Sequence, residues 1–267
     1  MIGYLGPTGS YSFLAGATFY VQEDLIAYRN VARLFYALEH DEVDGIIVPY
    51  ENMKTGTSFD ILGRVRKGNY HIAREILLDL VLVLVAKGQD ISAIREVYGT
   101  DVSIDECYDT IKAELKHHQK QFVPSNRAAL QAIETTATDK AAIVSRLDPL
   151  GDNSILLTDI RDSKQNLHKF AFIEKPLKVS GLHNRTLIAC SPTINRFGAL
   201  YDILHECVIR GVNIIKILSL PTIAQDDDIV FYIELEGNLE DDAIVKSLAM
   251  IKYKSKFVSI LGSYYAT

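Results

Sequence analysis

Hydroxyls and backbone amides gather at three places where an apolar run gives way to a glycine- or serine-containing turn. In the first, Gly6-Pro7-Thr8-Gly9-Ser10-Tyr11-Ser12 follows the apolar stretch Ile2 to Leu5 and precedes a helical pattern from Phe13 to Tyr20, with Ser10 or Ser12 as cap. Such a turn sets unpaired amides and the positive end of a helix beside the Thr8, Ser10 and Ser12 hydroxyls, which suits a carboxylate or phosphate. It lacks the lysine and spacing of a nucleotide phosphate loop, and its glycines also read as turn geometry alone. The second place, PYENMKTGT, follows Gly45 to Val48 and offers Glu51, Asn52, Thr55 and Thr57 ahead of a helix from Phe59 to Arg66. The third, Pro124-Ser125-Asn126, follows Gln121 to Val123 and opens a helix from Arg127 to Ile133, adding a guanidinium. Each alone reads as a helix cap; three such turns on one cleft would hold a small polyanion.

Acid–base chemistry has one good candidate. His168 and Lys169, in Asn166-Leu167-His168-Lys169-Phe170, enter an apolar strand from a loop. An imidazole and an ammonium there suit a proton-transfer step, the alternative being an exposed loop histidine beside a solvated lysine. His117 and His118 stand together on a lysine-rich helical stretch and read as solvated. Cys107, Cys190 and Cys207 lie far apart, which fits neither a zinc site nor a redox pair and suggests a reduced, cytoplasmic chain. No spacing of His, Asp or Glu resembles a metal site, so no metal is expected.

These residues must be positioned by a sizeable core. The 267 residues are 48% hydrophobic, with 28 basic and 34 acidic side chains and a formal charge of -6, which does not support a nucleic-acid surface. The most apolar stretch, Ile76 to Ala86, is about half a bilayer span and carries Asp79, so it is read as a buried strand and no membrane partner is expected. Met1 leads straight into Ile2, Tyr4 and Leu5 without the pattern of a signal peptide, and export is not expected.

Strands alternate with helices up to Glu174, implying a mostly parallel sheet with ligands beyond the carboxyl ends of its strands. Leu77 to Val85, nearly continuous Leu and Val, reads as a strand covered on both faces. Two lobes with a cleft between them are expected: residues 1–76 with 158–178, and residues 77–157 inserted. Glu174 to Asn184 is the best linker. Beyond it come a strand at Leu187 to Cys190, a helix at Phe197 to Ile209, strands at Asn213 to Ser219 and Ile229 to Glu236, a helix at Glu240 to Ile251 and a strand at Phe257 to Leu261. That order is βαββαβ, the ferredoxin-like split unit, with Asp226 to Asp228 at a hairpin tip.

End to end, the chain resembles a prephenate dehydratase of the bacterial two-part type. The resemblance is carried by GPTGSYSFLA, VPYEN with Gly56, PSNRAA, AAIVS and NLHKF, then by FGALYDIL, RGVNI, LSLP and LGSYY. It implies an α/β two-lobed, periplasmic-binding-protein-like catalytic domain over residues 1–178 and an α+β ferredoxin-like ACT domain over residues 184–267. It also implies a lyase needing no cofactor, which expels carbon dioxide and the ring hydroxyl from the dicarboxylate prephenate to give phenylpyruvate, and a homodimer or homotetramer. On that resemblance Thr8, Ser10, Asn52, Ser125, Asn126 and Arg127 bind substrate, and His168, Lys169 and Phe170 stand at the catalytic positions.

Departures fall at those positions. The family normally reads Glu-Asn-Ser where this chain has Glu51-Asn52-Met53, Ser-Thr where it has Ser125-Asn126, and Thr-Arg-Phe where it has His168-Lys169-Phe170. The threonine is the residue usually assigned to protonating the leaving group; His168 is the candidate replacement here, and Lys169 does not reproduce the two-pronged grip of arginine. The family also binds phenylalanine through Pro-Gly-Ala-Leu and Glu-Ser-Arg-Pro. Phe197 stands for the first proline before Gly198, Ala199 and Leu200, and Leu218 and Leu220 replace the charges around Ser219 and Pro221. Each missing charged hydrogen bond is worth roughly 1.5–3 kcal/mol, so weak or absent control by phenylalanine or another amino-acid effector is expected. Two alternatives stay open: a decarboxylase that retains the ring hydroxyl, and a non-catalytic small-acid binding or sensor protein.

Overall fold

The computed structural model describes residues 1–52, 56–115, 117–134, 138–164, 167–194, 196–221 and 229–266. The expected tip at Asp226 to Asp228, together with Met53, Thr55 and Asn166, lies outside the described residues. The chain begins β1 (Ile2–Leu5), α1 (Tyr11–Ala17), β2 (Leu25–Tyr28), α2 (Val31–Glu39), β3 (Gly45–Asn52), β4 (Gly56–Thr57), α3 (Phe59–Gly68) and β5 (His71–Asp79). It continues with β6 (Leu82–Ala86), β7 (Glu96–Gly99), α4 (Asp101–Glu106), α5 (Tyr108–Glu114), β8 (Gln119–Phe122), α6 (Asn126–Ile133), β9 (Lys140–Ser145), β10 (Ser154–Leu157) and β11 (Leu167–Glu174). Last come β12 (Arg185–Pro192), α7 (Ala199–Val208), β13 (Ile214–Pro221), β14 (Ile229–Glu236), α8 (Asp242–Lys254) and β15 (Ser255–Tyr264).

The chain forms two compact units, one of residues 1–34, 49–57 and 77–170, the other of residues 35–48, 58–76 and 171–267. In the first, β1 and β2 pair in parallel, and a five-stranded sheet runs β10-β6-β9-β7-β8. That sheet shows why Leu and Val fill β6. Leu82, Leu84 and Ala86 face Ile94, Ile104, Cys107 and Ile111, while Val83 and Val85 face Ala129, Leu130 and Ile133 of α6. Both faces are covered, so successive side chains are all buried.

Two expectations need correction here. The five-stranded sheet is mixed: β8, β7 and β9 run parallel, but β6 is antiparallel to β9 and β10 to β6. The stretch Ile76 to Ala86 is two strands, because β5 stops at Asp79 and β6 starts at Leu82. A lone carboxylate inside a covered strand is costly, and the break instead leaves the Asp79 side chain half exposed and paired with Arg161.

In the second unit the βαββαβ order is present, with strands arranged β13-β14-β12-β15 and each neighbouring pair antiparallel. Ile188, Ile233 and Leu235 of the sheet pack with Ile203 and Cys207 of α7 and Ile244 and Ile251 of α8. The three cysteines are buried thiols, and burial pushes Cys190 up to about 12 and Cys207 up to about 11. β15 also pairs in parallel with β5 at Gly262 and Ile72, where a Cβ on Gly262 would stand 2.3 Å from the Ile72 carbonyl oxygen. Gly262→Ala must push the two strands apart and is predicted to cost about 1–3 kcal/mol of stability, read by urea unfolding. An unchanged midpoint would show that this approach does not constrain the fold.

Candidate functional site

Two of the three expected turns meet. Gly9 has φ 81°, and a Cβ there would lie 3.1 Å from Cβ of Arg127, so only glycine lets the turn before α1 lie against the start of α6. Beside this contact is a cavity of about 170 Å³ lined by Ser10, Tyr11, Thr100, Val102, Pro124, Ser125 and Asn126. It draws on the expected first and third turns and on the start of α4.

The hydroxyls expected to bind substrate serve mostly as structure. Ser10 Oγ donates to the Leu5 carbonyl at 2.9 Å and accepts from the Phe13 amide at 3.3 Å, starting α1 earlier than the sequence pattern suggests. Ser125 Oγ accepts from the Ala128 amide at 3.2 Å, and Thr8 Oγ1 lies 3.1 Å from the Tyr4 hydroxyl. With only seven residues, α1 adds little dipole. Asn52 does not line the cavity: Glu51 and Asn52 pair with Thr57 and Gly56 as a hairpin, and Thr57 Oγ1 donates to Glu51 Oε2 at 2.8 Å. Arg127 is exposed on α6 and forms no ion pair among the described residues.

His168 is buried, not exposed, on β11. Its Nε2 lies 3.0 Å from Oε1 of Glu106, itself buried at the end of α4. The approach is off the line that a ring N–H needs, so the contact is an ion-pair approach without a formed hydrogen bond. The imidazole also meets the Tyr11 ring edge-on, centroids 5.5 Å apart, so Tyr11 stands between His168 and the cavity. Strand alternation puts buried Phe170 on the His168 side of β11 and half-buried Lys169 on the other. His117 and His118 follow α5 instead of lying on a helix, and His118 Nδ1 is 2.7 Å from the Leu115 carbonyl.

Glu106 is held from two sides. Thr100 caps α4 by accepting from the Ser103 amide at 3.1 Å, and Ile104 and Cys107 bury its inner face. Asp162 donates its amide to the Glu106 carbonyl at 2.8 Å and caps α5 by accepting from the Asp109 and Thr110 amides, each at 2.9 Å.

Asn126 is almost fully buried and donates Nδ2 to Asp148 Oδ2 at 2.7 Å, and the Ser145 amide donates to the same oxygen at 2.8 Å. Burial raises the Asp148 carboxyl against the opposing pull of those donors. Burial also raises the Tyr11 phenol, reinforced by the negative charges of Glu106 and Asp148. The Asn126 amide favours the phenolate but is too poorly placed for a formed hydrogen bond. Tyr11, Thr100, Glu106 and Asp148 were not singled out in the sequence. Tyr11 lay within a quoted turn, whereas Glu106 and Asp148 carry no local pattern that marks them.

In the second unit, Gly198 caps α7 with φ 80° and Ala199 lines a cavity of about 340 Å³ with Arg196, Asp202, Tyr253 and Lys254. Leu218 and Ser219 lie on β13 and do not line it, nor does Leu200.

A mixed α/β unit with a small, partly open cavity, followed in the chain by a ferredoxin-like βαββαβ unit, defines the class of fold. Comparison with known proteins narrows the class. A family model described as prephenate dehydratase matches residues 2–178. A bifunctional chorismate mutase/prephenate dehydratase of Aquifex aeolicus is 28% identical over 98% of this chain and 73% of its own length. A prephenate dehydratase of Amycolatopsis methanolica is 24% identical over 98% of this chain and 88% of its own. The crystal structure of the Arthrobacter aurescens prephenate dehydratase in complex with L-Phe superposes with TM-score 0.84 at 25% identity, covering 99% of this chain and 89% of that one. The chain belongs to the prephenate dehydratase family, and its fold is the expected one.

Because the Asp148 carboxyl is raised on folding, its stabilising contribution is full at low pH and is lost as pH rises through the raised value. Asp148→Asn has no such titration. The stability of the wild type relative to this variant is therefore predicted to fall from about pH 4 upward, read by urea unfolding across pH. A gap that widens with pH would contradict the assignment.

Proposed function

We propose that this protein is a prephenate dehydratase: a lyase that converts prephenate to phenylpyruvate, carbon dioxide and water without a cofactor. One observation carries the reading. The family match over residues 2–178 contains the cavity and, next to it, a buried acid–base pair, Glu106 with His168. The dianionic substrate needs cationic or amide donors for its carboxylates, and the reaction needs a proton for the departing hydroxyl. Exposed Arg127 and the start of α6 supply the first. His168, held by Glu106 behind Tyr11, is the source of the second in place of the family threonine, and Tyr11 is the side chain between it and the cavity. Apolar Val102 and Pro124 leave part of the wall without donors, so the carboxylate to be lost is not over-stabilised.

We assign substrate handling to residues 1–178 and a regulatory ACT role to residues 184–267, in a cytoplasmic homo-oligomer. Leu218 and Leu220 carry no charge for an amino-acid ligand, so saturating L-phenylalanine is predicted to change turnover less than about twofold, which a rate measurement with and without it checks.

Purified protein should form phenylpyruvate from prephenate, read by absorbance in alkali. A product heavier by one water would assign the hydroxyl-retaining decarboxylase, and tight binding without turnover would assign a sensor. His168→Thr is predicted to lower turnover about a hundredfold or more and to cost about 3–5 kcal/mol of stability, because Glu106 is left as an unpaired buried carboxylate. Adding Glu106→Gln removes that charge and should recover most of the lost stability. Simple additivity of the two changes would mean the pair is not coupled.

A further inference from the structure

Among the described residues, Tyr11 both forms part of the cavity wall and contacts the buried acid–base pair. Its hydroxyl is shielded from solvent and makes no hydrogen bond. Asn126 Oδ1, on the same cavity wall, shares that condition. Buried polar groups are as a rule paired, and two exceptions on residues of one cavity wall call for a common cause. A polar group of the ligand, entering at this end, accounts for them together.

The donor and acceptor types say which group. Tyr11 offers an O–H and Asn126 an amide oxygen, while Glu106 and Asp148 add negative charge close by. A carboxylate only accepts hydrogen bonds and would be repelled by both acids. A hydroxyl donates and accepts, and carries no charge, so it fits. Resting on the dehydratase reading, we propose that Tyr11 is a catalytic residue: it gives its phenolic proton to the hydroxyl leaving the substrate ring, while Asn126 Oδ1 accepts from that hydroxyl.

In the step, the Tyr11 O–H bond breaks and the ring carbon–oxygen bond breaks as the hydroxyl departs as water. The electron pair of the bond between ring and carboxylate becomes a ring double bond, and carbon dioxide leaves. The phenolate then regains its proton through His168 and Glu106, which take one from solvent. Burial keeps the phenol protonated before the step.

Tyr11→Phe removes only the hydroxyl. It is predicted to lower kcat for prephenate about a hundredfold to ten-thousandfold while leaving inhibition by phenylpyruvate, which lacks the ring hydroxyl, within about twofold of wild type. A kcat within fivefold of wild type overturns the proposal, as does an equal loss of phenylpyruvate inhibition, which would mark a damaged pocket. Where wild type shows no turnover, the dehydratase reading fails, and calorimetry then decides the contact. Weaker binding of prephenate but not of phenylpyruvate by Tyr11→Phe keeps it, whereas equal or undetectable prephenate binding by the two proteins ends it. Should Tyr11→Phe not fold, Asn126→Ala must weaken prephenate but not phenylpyruvate in the same titration, and no difference rejects the assignment.

Discussion

A carboxylate and an imidazole, each almost fully removed from water, face one another where α4 ends and β11 begins. Taking two such groups out of water is expensive, and the cost is offset only where their geometry is fixed from outside the pair. Much of the first unit does that. The apolar faces of β6 and β9 seat α4 and α5 on one side and α6 on the other, and the Asp162 caps tie the approach to β11 back to the junction of α4 and α5. The same scaffold places Thr100 at the start of α4 on the cavity and Glu106 at its end beside His168, with Tyr11 across from both.

Much of the fold was legible because it follows from periodicity. The Leu and Val run of β6 and the βαββαβ order after the linker carry signals that depend only on local pattern. What was missed is informative. The interruption at Asp79 depends on Arg161, 82 residues further on, and the antiparallel course of β6 depends on pairing with β9 and β10. Neither partner is visible from within the strand itself.

The site divided in the same way. Turn residues such as Ser10, Ser125 and Asn126 announce themselves by type and position, although the Ser10 and Ser125 hydroxyls cap helices and the Asn126 amide holds Asp148. His168 was singled out as a loop-to-strand residue, yet its burial and its partner Glu106 are tertiary facts. Glu106 sits in Asp105-Glu106-Cys107, a segment with no motif. Only the packing of α4 gives that carboxylate a meaning, and only through His168. The pairing of Glu51 with Thr57 and of Asn52 with Gly56 was not legible at the second turn, because its polar residues do not advertise it.

The account stands on the cavity at Ser10, Tyr11, Ser125 and Asn126 being where prephenate is held. A crystal structure of the protein soaked with phenylpyruvate, the unreactive product, tests this most directly. The prediction is ligand density within this cavity, its carboxylate toward Arg127 and the start of α6 and its ring against Tyr11. Density elsewhere with this cavity unfilled, or a ring turned away from Tyr11 with the carboxylate toward Glu106, would contradict it.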